Sequence, residues 1–223
     1  MKNDVVSTAN EHRNRDVIYQ VSLLQGLTNG DYYGSITVGV LKQHGDTGIG
    51  TFNSLDGELV LLDGKVYQVS GDGSVKVVGN EETIPFAVAS FMEADTLINL
   101  NEIPDFQTLI KELDQTAMER GVNRFRMIRI DGAFRNICVR SVYAQKEPYK
   151  RLTDVLECDQ TFFTYNDIAG TLVGVYCPPY MSALNAAGWH LHFISEDKTK
   201  GGHMLDVNIS NAVLTWDDID GLR

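Results

Sequence analysis

The chain lacks the cysteine pattern of a disulfide framework or a thiolate metal site. Its three cysteines, Cys138, Cys158 and Cys177, are odd in number and widely spaced, and no two of them form a Cys-x-x-Cys pair. Such a framework would need an even set, and a thiolate zinc site would need closely spaced pairs. Reduced thiols in a cytoplasm are therefore the better interpretation.

Long apolar runs are also missing. Residues 1–16 are polar and charged and contain no apolar stretch of the kind found in a signal peptide. No later segment approaches the roughly 20 apolar residues that a membrane-spanning helix needs. We therefore expect a cytoplasmic protein without a membrane partner.

Basic residues are scarce relative to acidic ones. The sequence has 19 Lys and Arg against 30 Asp and Glu, which gives a formal net charge of −11. Nucleic acids and anionic membranes are bound by clustered Lys and Arg, so this balance argues against both as partners. The apolar and charged fractions, 43% and 22%, are typical of a globular protein. A small-molecule partner is the better expectation.

The histidines, by contrast, are concentrated. Three of the five lie within fourteen residues of one another, at His190, His192 and His203. Side chains alternate between the two faces of a strand, so the first two project together while Leu191 and Phe193 point the other way into apolar surroundings. One face of this strand thus carries candidate ligands and the other faces the core.

The residues between the second and third histidines predict a hairpin. Residues 195–202 are polar and contain Gly-Gly, and residues 204–209 alternate again, as a returning strand would. His203 then lies near the start of that strand and can approach the first pair. Three imidazoles with a fourth position left open are the donor set of a catalytic zinc site. The alternative is that His190 and His192 are surface residues and His203 caps a turn.

The remaining pattern is rich in strands. Three Asp-Gly pairs interrupt residues 48–78, which predicts a meander of short hairpins. Apolar residues recur at helical spacing over Pro104–Arg120, and Gly121 follows as a stop. Another Asp-Gly pair, Asp131-Gly132, predicts one more hairpin between two apolar runs. The class is α+β with sheet dominating.

Four segments resemble the motifs of the alpha-acetolactate decarboxylase family. They are Thr51-Phe-Asn-Ser-Leu-Asp-Gly-Glu58-Leu, Val139-Arg140-Ser141-Val142, Gly170-Thr-Leu-Val-Gly174, and Gly188-Trp-His190-Leu-His192-Phe-Ile-Ser-Glu with Gly201-Gly-His203. The resemblance runs in order from about Ile18 to Leu214. It implies a zinc enzyme without an organic cofactor that converts 2-acetolactate to (R)-acetoin and carbon dioxide in acetoin biosynthesis. It further implies a homodimer.

The resemblance also implies a fold and a division of the chain. It implies a two-domain α/β arrangement of mixed, largely antiparallel sheets with few helices, and a metal site at the domain interface. Residues 146–149 contain Pro148 and have the character of a connection. We therefore expect an N-terminal mixed-sheet domain over 1–147 and a C-terminal β-rich domain over 148–223 that carries the histidine cluster.

Roles for individual residues follow from the resemblance. It implies the zinc ligands His190, His192 and His203, the acidic group Glu58 beside the metal, the substrate-orienting cation Arg140, and the hydroxyl of Thr51 close to the site. It also implies that family members carry a tail, beyond the equivalent of Leu214, that places another glutamate at the site.

Without the resemblance, the three residues outside the histidine cluster have plainer interpretations. Glu58 follows an Asp-Gly turn, where a solvated carboxylate at a strand edge is commoner, and the resemblance reverses that interpretation. Arg140 lies in a strand, where a surface cation is the commoner finding. Thr51 has a side chain that strands favour in any case.

The chemistry of the implied reaction suits this set of residues. Loss of carbon dioxide from a 2-hydroxy-3-keto acid leaves an electron pair that must enter the adjacent carbonyl, giving an enediolate. Zinc can act there as a Lewis acid and electron sink. Arg140 has the fork geometry to hold the departing carboxylate. Glu58 is then the candidate that exchanges a proton with the diolate and sets the face of protonation.

Two alternatives use the same histidines. A cupin-like metal-dependent oxygenase would also show His-x-His followed by Glu and a later His, although the ten residues between His192 and His203 leave little room for the strands between cupin motifs. A non-catalytic module, in which a metal staples a hairpin or an oligomer interface, would be favoured by four protein ligands around the ion.

Overall fold

The computed structural model describes residues 15–223, and within that range the chain forms fourteen strands and four α-helices. The polar leader at residues 1–14 lies outside the described residues. The strands are β1 Val17–Val21, β2 Ile36–Thr37, β3 Thr47–Thr51, β4 Glu58–Leu62, β5 Lys65–Val69, β6 Val75–Val77, β7 Thr83–Ile84, β8 Phe86–Ser90, β9 Thr96–Ile103, β10 Phe125–Val142, β11 Gln160–Cys177, β12 Gly188–Ser195, β13 Gly201–Ile219 and β14 Gly221–Leu222. The helices are α1 Leu24–Thr28, α2 Val38–Leu41, α3 Phe106–Arg120 and α4 Leu152–Cys158.

Two sheets account for most of these strands. The first has seven strands in the order β14-β1-β8-β3-β4-β5-β6, in which only the pairing of β1 with β14 is parallel. The second has five antiparallel strands in the order β10-β11-β12-β13-β9, with a further pairing of β10 with β13. The predicted class, mixed and largely antiparallel sheets with few helices, is confirmed.

The predicted meander forms strands β3 to β6. Asp63 and Gly64 both have positive φ angles, 51° and 71°, between β4 and β5. That pair of conformations is the two-residue turn that matches the twist of a hairpin. Gly73, with φ 84°, makes the next turn, between β5 and β6. These turns place β4 between β3 and β5 in the seven-stranded sheet.

The hairpin predicted at Asp131-Gly132 is wrong, because β10 runs through both residues without a break. Asp131 accepts a hydrogen bond from Thr171 Oγ1 at 2.7 Å and pairs with Arg129 at 2.6 Å, so its carboxylate is used inside the sheet. A Cβ on Gly132 would collide with the carbonyl oxygen of Asn211. The glycine therefore permits a close approach of neighbouring strands and does not form a turn.

Helix α3 matches the predicted helix and begins at Phe106. Asp105 caps it, since the Asp105 carboxylate accepts the backbone N–H of Thr108 at 2.7 Å. Its apolar positions Leu109 and Leu113 are fully buried against the five-stranded sheet. The helix thus covers one face of that sheet, and no helix in the described part of the chain is both long and apolar enough to cross a membrane.

The opposite face of the five-stranded sheet packs on the seven-stranded sheet. Val60 of β4 shares one buried cluster with Val173 and Val175 of β11 and Ile194 of β12. The two sheets therefore have a common core, and β4 lies against β12. Apart from β14, which pairs with β1, the strands of the seven-stranded sheet precede those of the five-stranded sheet, and the change falls between β8 and β9. The division into domains at residues 147 and 148 stays a prediction.

Candidate metal centre and active site

The three histidines converge at the end of the β12–β13 hairpin. His192 and His203 are direct partners across this ladder, and His190 lies two residues before His192 on the same face. His190 Nε2 lies 3.1 Å from His192 Nε2 and 3.1 Å from His203 Nδ1. The structure thus brings one nitrogen of each ring to a common point, and this group of side chains can hold a metal ion.

The two 3.1 Å distances from His190 Nε2 are close to the spacing of two ligands on a tetrahedral metal. Zinc–nitrogen bonds of about 2.0–2.1 Å at tetrahedral angles place the ligating nitrogens about 3.3 Å apart. A neutral imidazole has one N–H and one nitrogen lone pair. Lone pairs that point at one another repel, and a cation bound between the three rings removes that repulsion. The Nδ1 atom of His190 is buried and has no hydrogen-bond partner among residues 15–223, so only its Nε2 is committed to the group.

The ring of His192 is oriented by the other sheet. Its Nδ1 lies 2.9 Å from the carbonyl oxygen of Leu59 in β4, and because a carbonyl can only accept, the ring nitrogen must be the donor. The proton is therefore assigned to Nδ1, which leaves the Nε2 lone pair directed at the cluster. A backbone carbonyl that holds a ligand histidine in this way is usual at metal sites.

Burial keeps these imidazoles neutral. It lowers the pKa of His190 to about 4, with the positive charge of Arg140 as the second cause. The pKa values of His192 and His203 are also held well below the usual value, first by burial and then by the neighbouring rings. Neutral imidazole is the form that binds a metal, so the cluster is in its binding form at neutral pH.

Glu58 lies beside the cluster at the start of β4. Its Oε2 is 3.4 Å from His192 Nε2 and the side chain is buried. Burial raises the pKa of this carboxyl to about 7, and the charge of Arg140 opposes the rise. Glu58 can therefore take up or release a proton near neutral pH, which is the property that a general acid or base requires.

Two hydrogen bonds hold the segment that leads into Glu58. Thr51 is the cross-strand partner of Glu58, and its hydroxyl donates to the carbonyl of Gly57 at 2.7 Å. The side chain of Gln68 in β5 donates to the carbonyl of Asp56 at 2.5 Å. Both donors are buried. They fix the backbone immediately before Glu58 and so limit where its carboxylate can lie.

Arg140 approaches the cluster from β10. It is the cross-strand partner of His203, and its Nη1 donates to Gln160 Oε1 at 3.4 Å. Its Nε is buried without a partner in the described part of the chain. Burial lowers the pKa of the guanidinium, and the nearby Glu58 opposes this. The group stays charged at neutral pH and keeps donors for an anion.

All six predicted site residues line one cavity of about 430 Å³. Apolar side chains complete the wall, and they come from α1, α3, α4, the β3–β4 turn and strands of both sheets: Leu24, Leu27, Leu55, Phe86, Phe106, Val142, Leu152, Leu156, Trp189 and Met204. The cavity therefore combines a metal-binding cluster, a titratable carboxyl and a cation with an apolar surface. This is the composition of a site for a small organic anion.

Sequence reasoning missed three contributors to this site. The carbonyl of Leu59 carries no side-chain signal, so nothing in the sequence indicates it. Gln68 and Gln160 are ordinary polar residues of strands, and their contacts with Asp56 and Arg140 depend on the register in which neighbouring strands pair. The only sequence signal for such a residue is a polar side chain at a position of a strand that should face the core. Gln68 is at such a position once β5 is assigned, and it is buried.

Comparison with known proteins agrees with this geometry. The sequence model of the family described as Alpha-acetolactate decarboxylase matches residues 18–223. The chain belongs to the alpha-acetolactate decarboxylase family. It is 41% identical to the alpha-acetolactate decarboxylase of Raoultella terrigena over 95% of this chain and 80% of that protein. It is 40% identical to that of Klebsiella aerogenes over 92% of this chain and 78% of the relative.

A solved structure of the family has the same fold. The crystal structure of alpha-acetolactate decarboxylase from Bacillus subtilis strain 168 superposes with a TM-score of 0.89 at 33% sequence identity, covering 93% of this chain and 87% of that one. The predicted family and the prediction of an enzyme, a carboxy-lyase, are confirmed. Family membership decides against a cupin-like oxygenase.

Proposed function

We propose that this member of the alpha-acetolactate decarboxylase family catalyses the zinc-dependent decarboxylation of 2-acetolactate to (R)-acetoin and carbon dioxide. The observation that carries the proposal is the meeting of three neutral imidazoles, Glu58 and Arg140 in one cavity of about 430 Å³. The relatives named above are decarboxylases of the same substrate by name. The cation and the apolar wall of this cavity suit a small molecule that carries a negative charge and has an apolar part.

His190, His192 and His203 would hold the zinc through Nε2, Nε2 and Nδ1, the atoms that the structure brings together. When bound, zinc supplies a Lewis acid that draws electron density from the ketone as the carbon–carbon bond breaks. Three protein ligands leave a position for substrate, whereas four would favour a purely structural metal. The site is therefore better suited to catalysis than to stapling a hairpin.

Arg140 binds the carboxylate that leaves. Its guanidinium is held at the cavity by β10, and its buried Nε has no partner in residues 15–223. A planar fork of N–H donors matches a carboxylate at two points and fixes the direction of the bond that must break. Arg140 acts chiefly by orientation, since tight binding of the ground-state carboxylate would slow its departure.

Glu58 supplies the proton that replaces carbon dioxide. As the bond breaks, its electron pair moves toward the carbonyl and an enediolate is left, which must gain a proton at carbon to become acetoin. Burial raises the pKa of this carboxyl to about 7 when no metal is bound, so Glu58 is the group beside the cluster that is suited to hold a proton and give it up. Because Glu58 is fixed at the start of β4, it reaches the substrate from one side. The proton is therefore added to one face of the enediolate, and the product is chiral.

Thr51 keeps Glu58 in place. Its hydroxyl is committed to the carbonyl of Gly57 at 2.7 Å, and it lines the same cavity. We assign it a positioning role beside the acid and no part in proton transfer.

The test is acetoin formation from racemic 2-acetolactate by purified protein. We expect acetoin well above the spontaneous rate with zinc-loaded protein, loss of that activity after treatment with a chelator, and recovery when zinc is returned. Chiral chromatography should show the (R) product. If zinc-loaded protein forms no acetoin above the spontaneous rate, the proposed function is wrong.

We also propose a homodimer, which the family resemblance suggests, and a cytoplasmic location, which fits the three unpaired cysteines. Light scattering after size-exclusion chromatography measures the mass in solution, and a value near twice 24.8 kDa supports the dimer. Fractionation of the source cells tests the location.

A further inference from the structure

Gln160 links the cation of the site to its apolar wall. Its Oε1 accepts from Arg140 Nη1 at 3.4 Å, and its Nε2 donates to the backbone carbonyl of Leu156. Leu156 lies in α4, and its side chain lines the cavity. One amide side chain thus joins the guanidinium to a helix that lines the same pocket.

The arrangement leaves Arg140 dependent on this contact. Gln160 is the one side chain recorded as a hydrogen-bond partner of the Arg140 guanidinium within the described residues. An arginine side chain has several rotatable bonds, and holding it in one rotamer costs conformational entropy. A neutral amide acceptor restrains the guanidinium without neutralising its charge, which a carboxylate in the same place would do. The donors of Arg140 therefore stay available to an anion.

We propose that Gln160 is a positioning residue for substrate carboxylate: it holds Arg140 at a fixed distance from the apolar wall of α4. This inference rests on the proposed function for the identity of the substrate, and it adds a residue that neither the sequence motifs nor the reaction chemistry indicates. Gln160 itself does not touch the reacting atoms. Its effect on binding is transmitted through Arg140.

The competing interpretation is structural. Because Gln160 also bonds the Leu156 carbonyl near the end of α4, its removal can loosen that helix without any effect on Arg140. The two interpretations differ in a double-mutant cycle, since residues that act as one unit give non-additive effects and independent ones add.

The experiment measures the affinity of the zinc-loaded protein for 2-hydroxyisobutyrate, a 2-hydroxy acid that lacks the keto group and does not react. Titration calorimetry is performed on the wild type, Gln160→Met, Arg140→Met and the double variant. Uncharged acetoin serves as the second ligand. Gln145→Met is the matched control, because the half-buried Gln145 side chain donates to the nearby carbonyl of Tyr143 and is not among the residues that line the cavity.

We expect Gln160→Met to weaken binding of the hydroxy acid by about tenfold, the loss of roughly one charge-assisted hydrogen bond. In the Arg140→Met background the same change should weaken binding by less than about twofold, and the affinity for acetoin should be unchanged. In turnover of 2-acetolactate, KM should rise while kcat changes little. Gln145→Met should match the wild type.

An additive cycle, or an equal loss of affinity for acetoin, would overturn the proposal in favour of a structural role. Failure of the wild type to bind the hydroxy acid would overturn it as well. The outcome is separable from the proposed function: a coupled cycle without acetoin formation supports Gln160 and rejects the decarboxylation, whereas acetoin formation with an additive cycle does the reverse.

Discussion

Glu58 Oε2 lies 3.4 Å from His192 Nε2, where β4 of the seven-stranded sheet meets β12 of the five-stranded sheet. The next residue along β4, Leu59, accepts a hydrogen bond from Nδ1 of the same imidazole. One strand therefore supplies both the acid and the group that orients the metal ligand. The site exists only when the two sheets are packed together, which ties activity to the integrity of the shared core.

Glu58→Gln should abolish most of the turnover and leave the metal in place. The amide keeps the size of the side chain but has no proton to exchange, and general acid–base groups typically contribute about 10²- to 10⁴-fold. We expect kcat to fall by at least about 100-fold in that range, with zinc content unchanged by elemental analysis. If Glu58→Gln lost zinc together with activity, Glu58 would be a metal ligand. If the variant turned over at the wild-type rate, Glu58 would have no part in the mechanism.

Thr51→Val should impair catalysis mildly and specifically. The change removes the hydroxyl that bonds the Gly57 carbonyl, a contact whose net value is about 1 kcal/mol. We expect kcat to fall by about fivefold for that energy, with KM and zinc content near normal. Thr51→Ser retains the hydroxyl and is the control. A defect in Thr51→Ser together with normal kcat in Thr51→Val would show that the methyl group, and not the hydrogen bond, matters.

Arg140→Lys should raise KM more than it lowers kcat. Lysine keeps the charge but has no planar fork, so it cannot hold a carboxylate at two points. We expect KM for 2-acetolactate to rise by about 10- to 100-fold, the equivalent of one lost charge-assisted hydrogen bond. Arg135→Lys is the matched control, because Arg135 is on the same strand but is exposed and paired with Glu102. An unchanged KM in Arg140→Lys would show that Arg140 does not bind the substrate carboxylate.

The histidine hairpin is predictable because its signals are local. Alternation puts His190 and His192 on one face of a strand, and the polar Gly-Gly stretch brings His203 back beside them. The ladder in which His192 faces His203 confirms that expectation. The resemblance to a family added Glu58 and Arg140, which local patterns alone would assign to the surface.

Contacts that depend on how strands distant in sequence pair with one another cannot be predicted from local patterns. Arg140 reaches the cluster because β10 pairs with β13 in a particular register, and Gln160 reaches Arg140 because β11 lies on the other side. Local signals also misled at Asp131-Gly132, where a dipeptide typical of turns serves a close contact between strands in the middle of β10. The sequence does not distinguish these two uses of glycine.

Asp217 should make the fold less stable as pH rises. Burial raises the pKa of its carboxyl from 3.8 to about 7, with Asp95, Asp16 and Glu93 adding negative charge. Between these values the folded state holds the proton and the unfolded state does not, so the stabilisation is complete below about pH 4 and is lost by about pH 7. Asp217→Asn should remove this dependence and raise the free energy of unfolding at pH 8 by a few kcal/mol, on the order of that shift.

Chemical denaturation of the wild type and Asp217→Asn at pH 5 and pH 8 measures the effect. The neighbouring Asp218 is the control, since it is the anion that pairs with the fully buried Arg126 at 2.9 Å. Asp218→Asn should destabilise the protein by about 3–5 kcal/mol, the usual cost of leaving a buried charge unpaired. A wild type and an Asp217→Asn variant with the same stability at both pH values would contradict the assignment.

The proposed chemistry depends above all on one divalent ion shared by His190, His192 and His203. Anomalous diffraction at the zinc edge from crystals of zinc-loaded protein tests this most directly. We predict a single strong peak within about 2.0–2.1 Å of His190 Nε2, His192 Nε2 and His203 Nδ1, with no fourth side chain completing the coordination. A peak bound by other residues, or none between these three rings, would contradict it.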